Sequence, residues 1–183
     1  MDTDGTLIER SCRGRPDAFA EVVSRHEIAV HAFLARRAGA QAAADLLGEV
    51  WVRAFGGRGG YDPAYPDARP WLYGIARNVL RSHWRASRGA SHVTAESALA
   101  EAATDPWEAV TGRLDSAARL RVLAAAVQAL PAAERDVLLL VAWEQLTPAQ
   151  AAAVLGIPPG TARSRLHRAR AVLRLADPVE EDA

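Results

Sequence analysis

Apolar residues recur along this chain at helical rather than strand spacing. Phe19, Val22, Val23, Val30, Phe33 and Leu34, with His26 among them, lie three and four apart and predict an amphipathic helix over 17–37, which Gly39 is expected to end. Leu46, Leu47, Val50, Trp51, Ala54 and Phe55 predict a second helix over about 42–55. A breaker cluster follows, from Gly56 through Gly60 to Pro63, Pro66 and Pro70. Pro70 suits the first turn of a third helix reaching about Arg88. Residues 91–114 are rich in alanine, serine and acid with weak periodicity, which predicts a linker and a domain boundary. Beyond it, helices are expected over 115–130 and 132–143, separated by Pro131, and then over two further segments split at Gly156-Ile157-Pro158. No convincing apolar–polar alternation predicts a strand. The expected fold class is all-α: two small helical domains, 15–90 and 115–176, joined by a flexible linker, the second containing a helix-turn-helix.

The last two helices carry the clearest local signals. Thr147 can cap, Pro148 fits a first turn, and Gln150 can reach back to complete a capping box. A short helix, a tight turn containing glycine and a basic second helix make the layout of a helix-turn-helix. At about 100° per residue, Ala162, Leu166, Ala169 and Leu173 form one narrow apolar stripe. Arg163, Ser164, His167 and Arg168 sit roughly opposite, Arg165 and Arg170 flank the stripe, and the N–H groups of Gly160 and Thr161 suit a phosphate. One face packs and the other offers donors, as major-groove reading demands. A merely solvated basic helix is the plainer alternative.

The third helix repeats the division. Leu72, Ile75, Ala76, Val79 and His83 share one face, and Asn78, Arg81, Arg85 and Arg88 share the other. Asparagine beside arginines can reach base edges as well as phosphates. Tyr73 and Trp84 would suit unstacked bases, whereas Trp71 and His83 read as packed side chains.

Charge sharpens this picture. The 22 arginine-type charges and 22 acids cancel, yet no acid interrupts Arg69 to Arg88 or Arg163 to Arg174, while acids gather in the middle and at the end. Two basic blocks between acidic ones are an electrostatic footprint despite a net charge of zero. The total absence of lysine is as readily codon bias. Half the residues are apolar, enough for real cores. No apolar run approaches the roughly 20 residues that span a bilayer, so no membrane insertion is expected. The start lacks the layout of a secretory signal. The single Cys12 can form neither an internal disulfide nor a metal site alone, which suits a cytoplasmic protein. The five histidines never take metal-ligand spacing, and Gly56–Gly60 lacks the lysine of a phosphate-binding loop, so no enzyme, metal or cofactor is expected.

Three segments together resemble the sigma factors of bacterial RNA polymerase, in their extracytoplasmic-function (ECF) subgroup of the sigma-70 family. Residues 45–55 (DLLGEVWVRAF) are similar to the family's polymerase-docking segment, 70–78 (PWLYGIARN) to its promoter-melting segment, and 130–135 (LPAAER) with 160–170 (GTARSRLHRAR) to its promoter-binding domain. The departure is Gly48, where the family usually has glutamine. The resemblance implies core RNA polymerase and promoter DNA as partners, and an anti-sigma factor that holds such proteins inactive. It implies that Arg163, Ser164, His167 and Arg168 meet bases of the minus-thirty-five element while Thr161 and Arg165 meet phosphates. It implies that Asn78 lies near a base captured from the minus-ten element, with Arg77, Arg81, Arg85 and Arg88 beside it. It implies that Asp45, Leu46, Glu49, Trp51 and Phe55 face the polymerase, although Trp51 and Phe55 equally suit a core. The competing class is a stand-alone helix-turn-helix regulator, which normally needs two-fold symmetry to bind paired half-sites.

Overall fold

The computed structural model describes residues 2–90 and 114–176, with side chains placed over 2–87 and 120–176. The expected linker, the acidic C-terminal stretch and the side chain of Arg88 therefore lie outside the described residues. The chain divides into two compact units, Met1–Thr104 and Asp105–Ala183. Every regular element among the described residues is helical.

The first unit opens with a helix that the apolar pattern did not predict. Helix α1 (Asp4–Cys12) is capped by the Thr3 hydroxyl, which accepts from the Thr6 N–H at 3.2 Å. Leu7 and Ile8 anchor it in the core. Helix α2 (Ala18–Gly57) runs through the first two predicted helices without a loop between them. Gly39 kinks rather than ends it: φ of 80° there is open to glycine and strained for other residues, so the two halves turn against each other at that point. The first half buries Phe19, Val22, Val30, Phe33 and Leu34, and the second buries Ala43, Leu46, Val50 and Ala54. A 3-10 turn (Arg58–Gly60) and a loop lead to helix α3 (Arg69–Ala90).

Helix α3 packs on α2 through a face broader than the predicted stripe. Leu72, Tyr73, Ala76, Val79 and Leu80 are all buried, while Ile75 and His83 are half-buried at its edge. Tyr73 is 2% exposed, its ring 4.9 Å from that of Phe33. It belongs to the core, which overturns the expectation that it meets unstacked bases. Trp71 packs edge-on against Tyr61 at 5.1 Å.

The second unit contains α4 (Leu114–Ala129), α5 (Ala132–Ala142), α6 (Pro148–Leu155) and α7 (Pro159–Ala176). The capping box at the start of α6 is formed on both sides. Gln150 N–H donates to the Thr147 hydroxyl at 3.2 Å, and Thr147 N–H donates to the Gln150 side-chain oxygen at 2.8 Å. Gly156 closes α6 in the left-handed region, φ 67°, and its N–H returns to the carbonyls of Ala152 and Ala153. Leu130, Val137, Leu138, Ala152, Ala162, Leu166 and Ala169 form the core of this unit. The three small or medium side chains supplied by α7 let that helix approach closely while exposing its opposite face.

Candidate nucleic-acid interface

Helix α7 separates an apolar face from a polar one. Ala162, Leu166 and Ala169 are buried at 0, 5 and 0% exposure, whereas Arg163, Ser164, His167 and Arg168 are exposed, with Arg165 and Thr161 at the margin. The spacing that buries one set forces the other outward. Two details differ from the sequence reading. The Thr161 N–H is not free, because it donates to the Pro158 carbonyl at 2.9 Å, which leaves the side-chain hydroxyl as that residue's remaining donor. Ser164 donates its hydroxyl proton to the Thr161 carbonyl at 3.0 Å, so outward it offers mainly oxygen lone pairs. Arg168 donates from Nε to Glu134 Oε1 at 2.6 Å.

In the first unit, α3 presents Asn78, Arg81 and Arg85 exposed, with Arg77 half-buried beside them. Arg85 lies along the helix, its Nε donating to the Arg81 carbonyl at 3.2 Å and Nη2 to Ser82 at 3.2 Å. The groups named by sequence thus share one solvent-facing surface on each unit, apart from Arg88.

The segment expected to face a protein partner is divided. Asp45 and Glu49 point outward, Glu49 paired with Arg53 one turn on. Leu46 does not: at 5% exposure it joins Val50 and Ala54 in the core, because all three lie on the seam facing the rest of the unit. That corrects its assignment to the outer face. Trp51 is half-buried edge-on to Phe19 at 6.4 Å. Phe55 packs its edge on Phe19 at 5.4 Å, keeps 38% exposure, and carries the Arg58 guanidinium 3.7 Å over its ring. Val52, not named from sequence, is 74% exposed between Asp45, Glu49 and Phe55. Its signal was legible: at about 100° per residue it falls more than a third of a turn off the Leu46–Val50–Ala54 seam.

A buried polar cluster was also missed. Asp4, 5% exposed, accepts from His26 Nε2 at 2.7 Å, from the Ala68 N–H at 2.9 Å and from Arg25 Nη1 at 3.0 Å. It ties α1 to α2 and to the residue preceding α3. Burial pushes the Asp4 carboxyl up, but the Ala68 N–H, His26 and Arg25 outweigh it and hold the group below its ordinary value. Asp67, likewise opposed by burial, is held down by Arg69, which donates to it at 2.9 Å through Nη2. The start of the basic helix is thereby pinned on two sides. Burial, reinforced by Asp4, Asp67 and Asp62, pushes the Tyr61 phenol up to about 12.

Comparisons with known proteins agree with this geometry. Sigma-70 region 2 matches residues 22–89 and Sigma-70, region 4 matches residues 120–173. The chain is similar to the RNA polymerase sigma factor CarQ of Myxococcus xanthus, 37% identical over 169 residues that cover 91% of this chain and 93% of that one. It is 33% identical over 172 residues to the ECF RNA polymerase sigma factor SigC of Mycobacterium tuberculosis, covering 94% and 89%. Two solved structures share the fold. CnrH in complex with the cytosolic domain of CnrY has a TM-score of 0.65 at 24% identity, covering 98% of this chain and 100% of that one. The sigma factor RpoE of Bartonella quintana, in complex with the anti-sigma factor NepR, has a TM-score of 0.63 at 22% identity, covering 89% and 98%. With both region matches in this order and relatives alike over nearly their whole length, the chain belongs to the ECF subgroup of the sigma-70 family, the RNA polymerase sigma factors that direct core polymerase to promoters.

Proposed function

We propose that the two basic surfaces divide the promoter between them. Helix α7 enters the major groove of the minus-thirty-five element, where Arg163, Ser164, His167 and Arg168 meet base edges and Thr161 and Arg165 meet phosphates. Helix α3 serves the minus-ten element, with Asn78 near a base drawn out of the stack and Arg77, Arg81, Arg85 and Arg88 on the backbone. Extracting a base costs a few kcal/mol, which phosphate attraction and pocket contacts offset. The outer face of α2 formed by Asp45, Glu49, Trp51 and Phe55 docks on core polymerase. Residues 15–90 and 115–176 act as separate promoter-binding domains on either side of the linker.

The observation that carries this reading is α7, which buries Ala162, Leu166 and Ala169 and exposes Arg163, Ser164, His167 and Arg168 on the opposite face. Two unlike basic helices give an asymmetric footprint, which disfavours a stand-alone regulator acting on a palindrome. The protein is read as cytoplasmic and without a catalytic step of its own; among the described residues no helix is long and apolar enough to cross a membrane. The fold shared with a sigma factor held by an anti-sigma factor supports such a partner here. Co-purification with core polymerase, followed by transcription from a matched promoter, tests the proposal. Promoter-dependent transcripts only when the chain is present are expected. A stable dimer that binds a palindrome and ignores core polymerase would refute it.

A further inference from the structure

The segment Leu130-Pro131-Ala132-Ala133-Glu134-Arg135 joins α4 to the first turn of α5. Leu130 is buried and Arg135 donates to the Gln128 carbonyl at 2.9 Å, which closes the α4–α5 turn. Glu134 does something else. It sits in the first turn of α5 with its side chain only 14% exposed, and its Oε1 accepts from Nε of Arg168, 34 residues away on α7.

We infer that Glu134 is a positioning residue for base reading: it grips Arg168 by Nε and leaves the outer edge of the guanidinium free for a guanine. Nε is the innermost donor of an arginine, and Nη1 and Nη2 form the fork that meets O6 and N7 of guanine side by side. Among the described residues, the Glu134 bond is the one hydrogen bond that the Arg168 side chain makes, so the fork remains available. The Arg168 side chain is 58% exposed and would otherwise sample many rotamers, a freedom that docking has to remove. A carboxylate fixed on a different helix removes much of that freedom in advance. It also carries an electrostatic signature: a negative charge close to a phosphate-lined groove opposes binding to every DNA sequence alike. Glu134 therefore sharpens discrimination at the expense of general affinity.

The inference rests on Arg168 reading a base, so its test must separate the two. Full-length chain, assembled with core polymerase, is presented with a duplex library randomised over the upstream element, and the bound fraction is sequenced. Arg168→Ala should flatten base preference at one or two adjacent positions. Glu134→Gln should lower preference at those same positions by about three- to tenfold, while binding to unrelated duplex stays equal or tightens. Glu134→Asp keeps the charge at the start of α5 but shortens the reach, and it should lose the same preference without lowering the melting temperature. The double variant Glu134→Gln/Arg168→Ala should lose no more than Arg168→Ala alone. A wild-type profile for Glu134→Gln beside a flattened one for Arg168→Ala overturns the coupling. Uniform weakening on all duplexes also overturns it, because that is the mark of a structural role. An unchanged profile for Arg168→Ala would remove the base-reading assignment, and this inference with it.

Discussion

Asp4→Ala isolates the buried cluster on which the first unit turns. Three donors converge on this carboxylate, and they lose it on unequal terms. The Ala68 N–H is in a fully buried residue and has no water to turn to, which costs about 1–3 kcal/mol. His26, 9% exposed, loses a 2.7 Å partner and costs about 1 kcal/mol more. Arg25 keeps Glu21 and the Asp2 carbonyl and contributes little. Relief from burying a charge offsets part of the loss, so a destabilisation of about 1–3 kcal/mol is expected for the first unit and none for the second. Hydrogen exchange resolved by peptide reads the difference directly, as faster exchange in α1, the first half of α2 and the start of α3 with α6 and α7 unchanged. The pH dependence follows from the direction of the shift. Because the folded Asp4 lies below its ordinary value of 3.8, its contribution is fully present above that value and is lost as pH falls through the folded one. The gap between wild type and variant should therefore be constant near neutrality and shrink below about pH 4. A gap under about 0.5 kcal/mol, or one that persists undiminished in acid, would refute the reasoning.

Other substitutions probe the remaining surfaces. Val52→Glu, at a position 74% exposed on the outer face of α2, should leave the melting temperature within about 1–2 °C and weaken capture of core polymerase about tenfold or more, measured by co-purification or fluorescence titration. Arg81→Ala should weaken promoter binding evenly across sequences and lower the slope of log affinity against log salt by about 1; a sequence-dependent loss would assign it to a base instead. Thr147→Ala removes the cap of α6 and should cost the second unit about 1 kcal/mol, read from urea melts. Asn78→Ala should spare the closed complex and slow opening, seen as lower permanganate reactivity of thymines in the minus-ten region; wild-type reactivity would reject its role.

The parts of this fold that sequence made visible are those decided locally. The Thr147–Gln150 box, the glycine turn at Gly156 and the four-three-four stripe of α7 need only a few neighbouring residues, and each formed as the pattern predicts. What escaped was decided by distant partners. Helix α1 has nine residues and two large apolar side chains, too few for a visible period, and its Asp4 gains meaning only from His26 and Ala68, 22 and 64 residues further on. Gly39 was read as a terminator because local chemistry permits either outcome, and packing on both halves of α2 made it a kink. Tyr73 was placed on the wrong side because the face of α3 against α2 is wider than a narrow stripe and takes in both Tyr73 and Leu80. Leu46 is expected on the partner surface beside Asp45 and Glu49 only from the resemblance, whereas its angle on the helix, shared with Val50 and Ala54, points inward.

On the proposed division of the promoter, α3 and α7 touch different elements. A photoreactive phenylalanine analogue placed in turn at Ser82 and at Ser164, in full-length chain assembled with core polymerase on promoter DNA, tests it most directly. Ser164 should cross-link in the minus-thirty-five element and Ser82 in the minus-ten region. Cross-links from both positions to one element, or none from either, would show that the two helices do not divide the promoter.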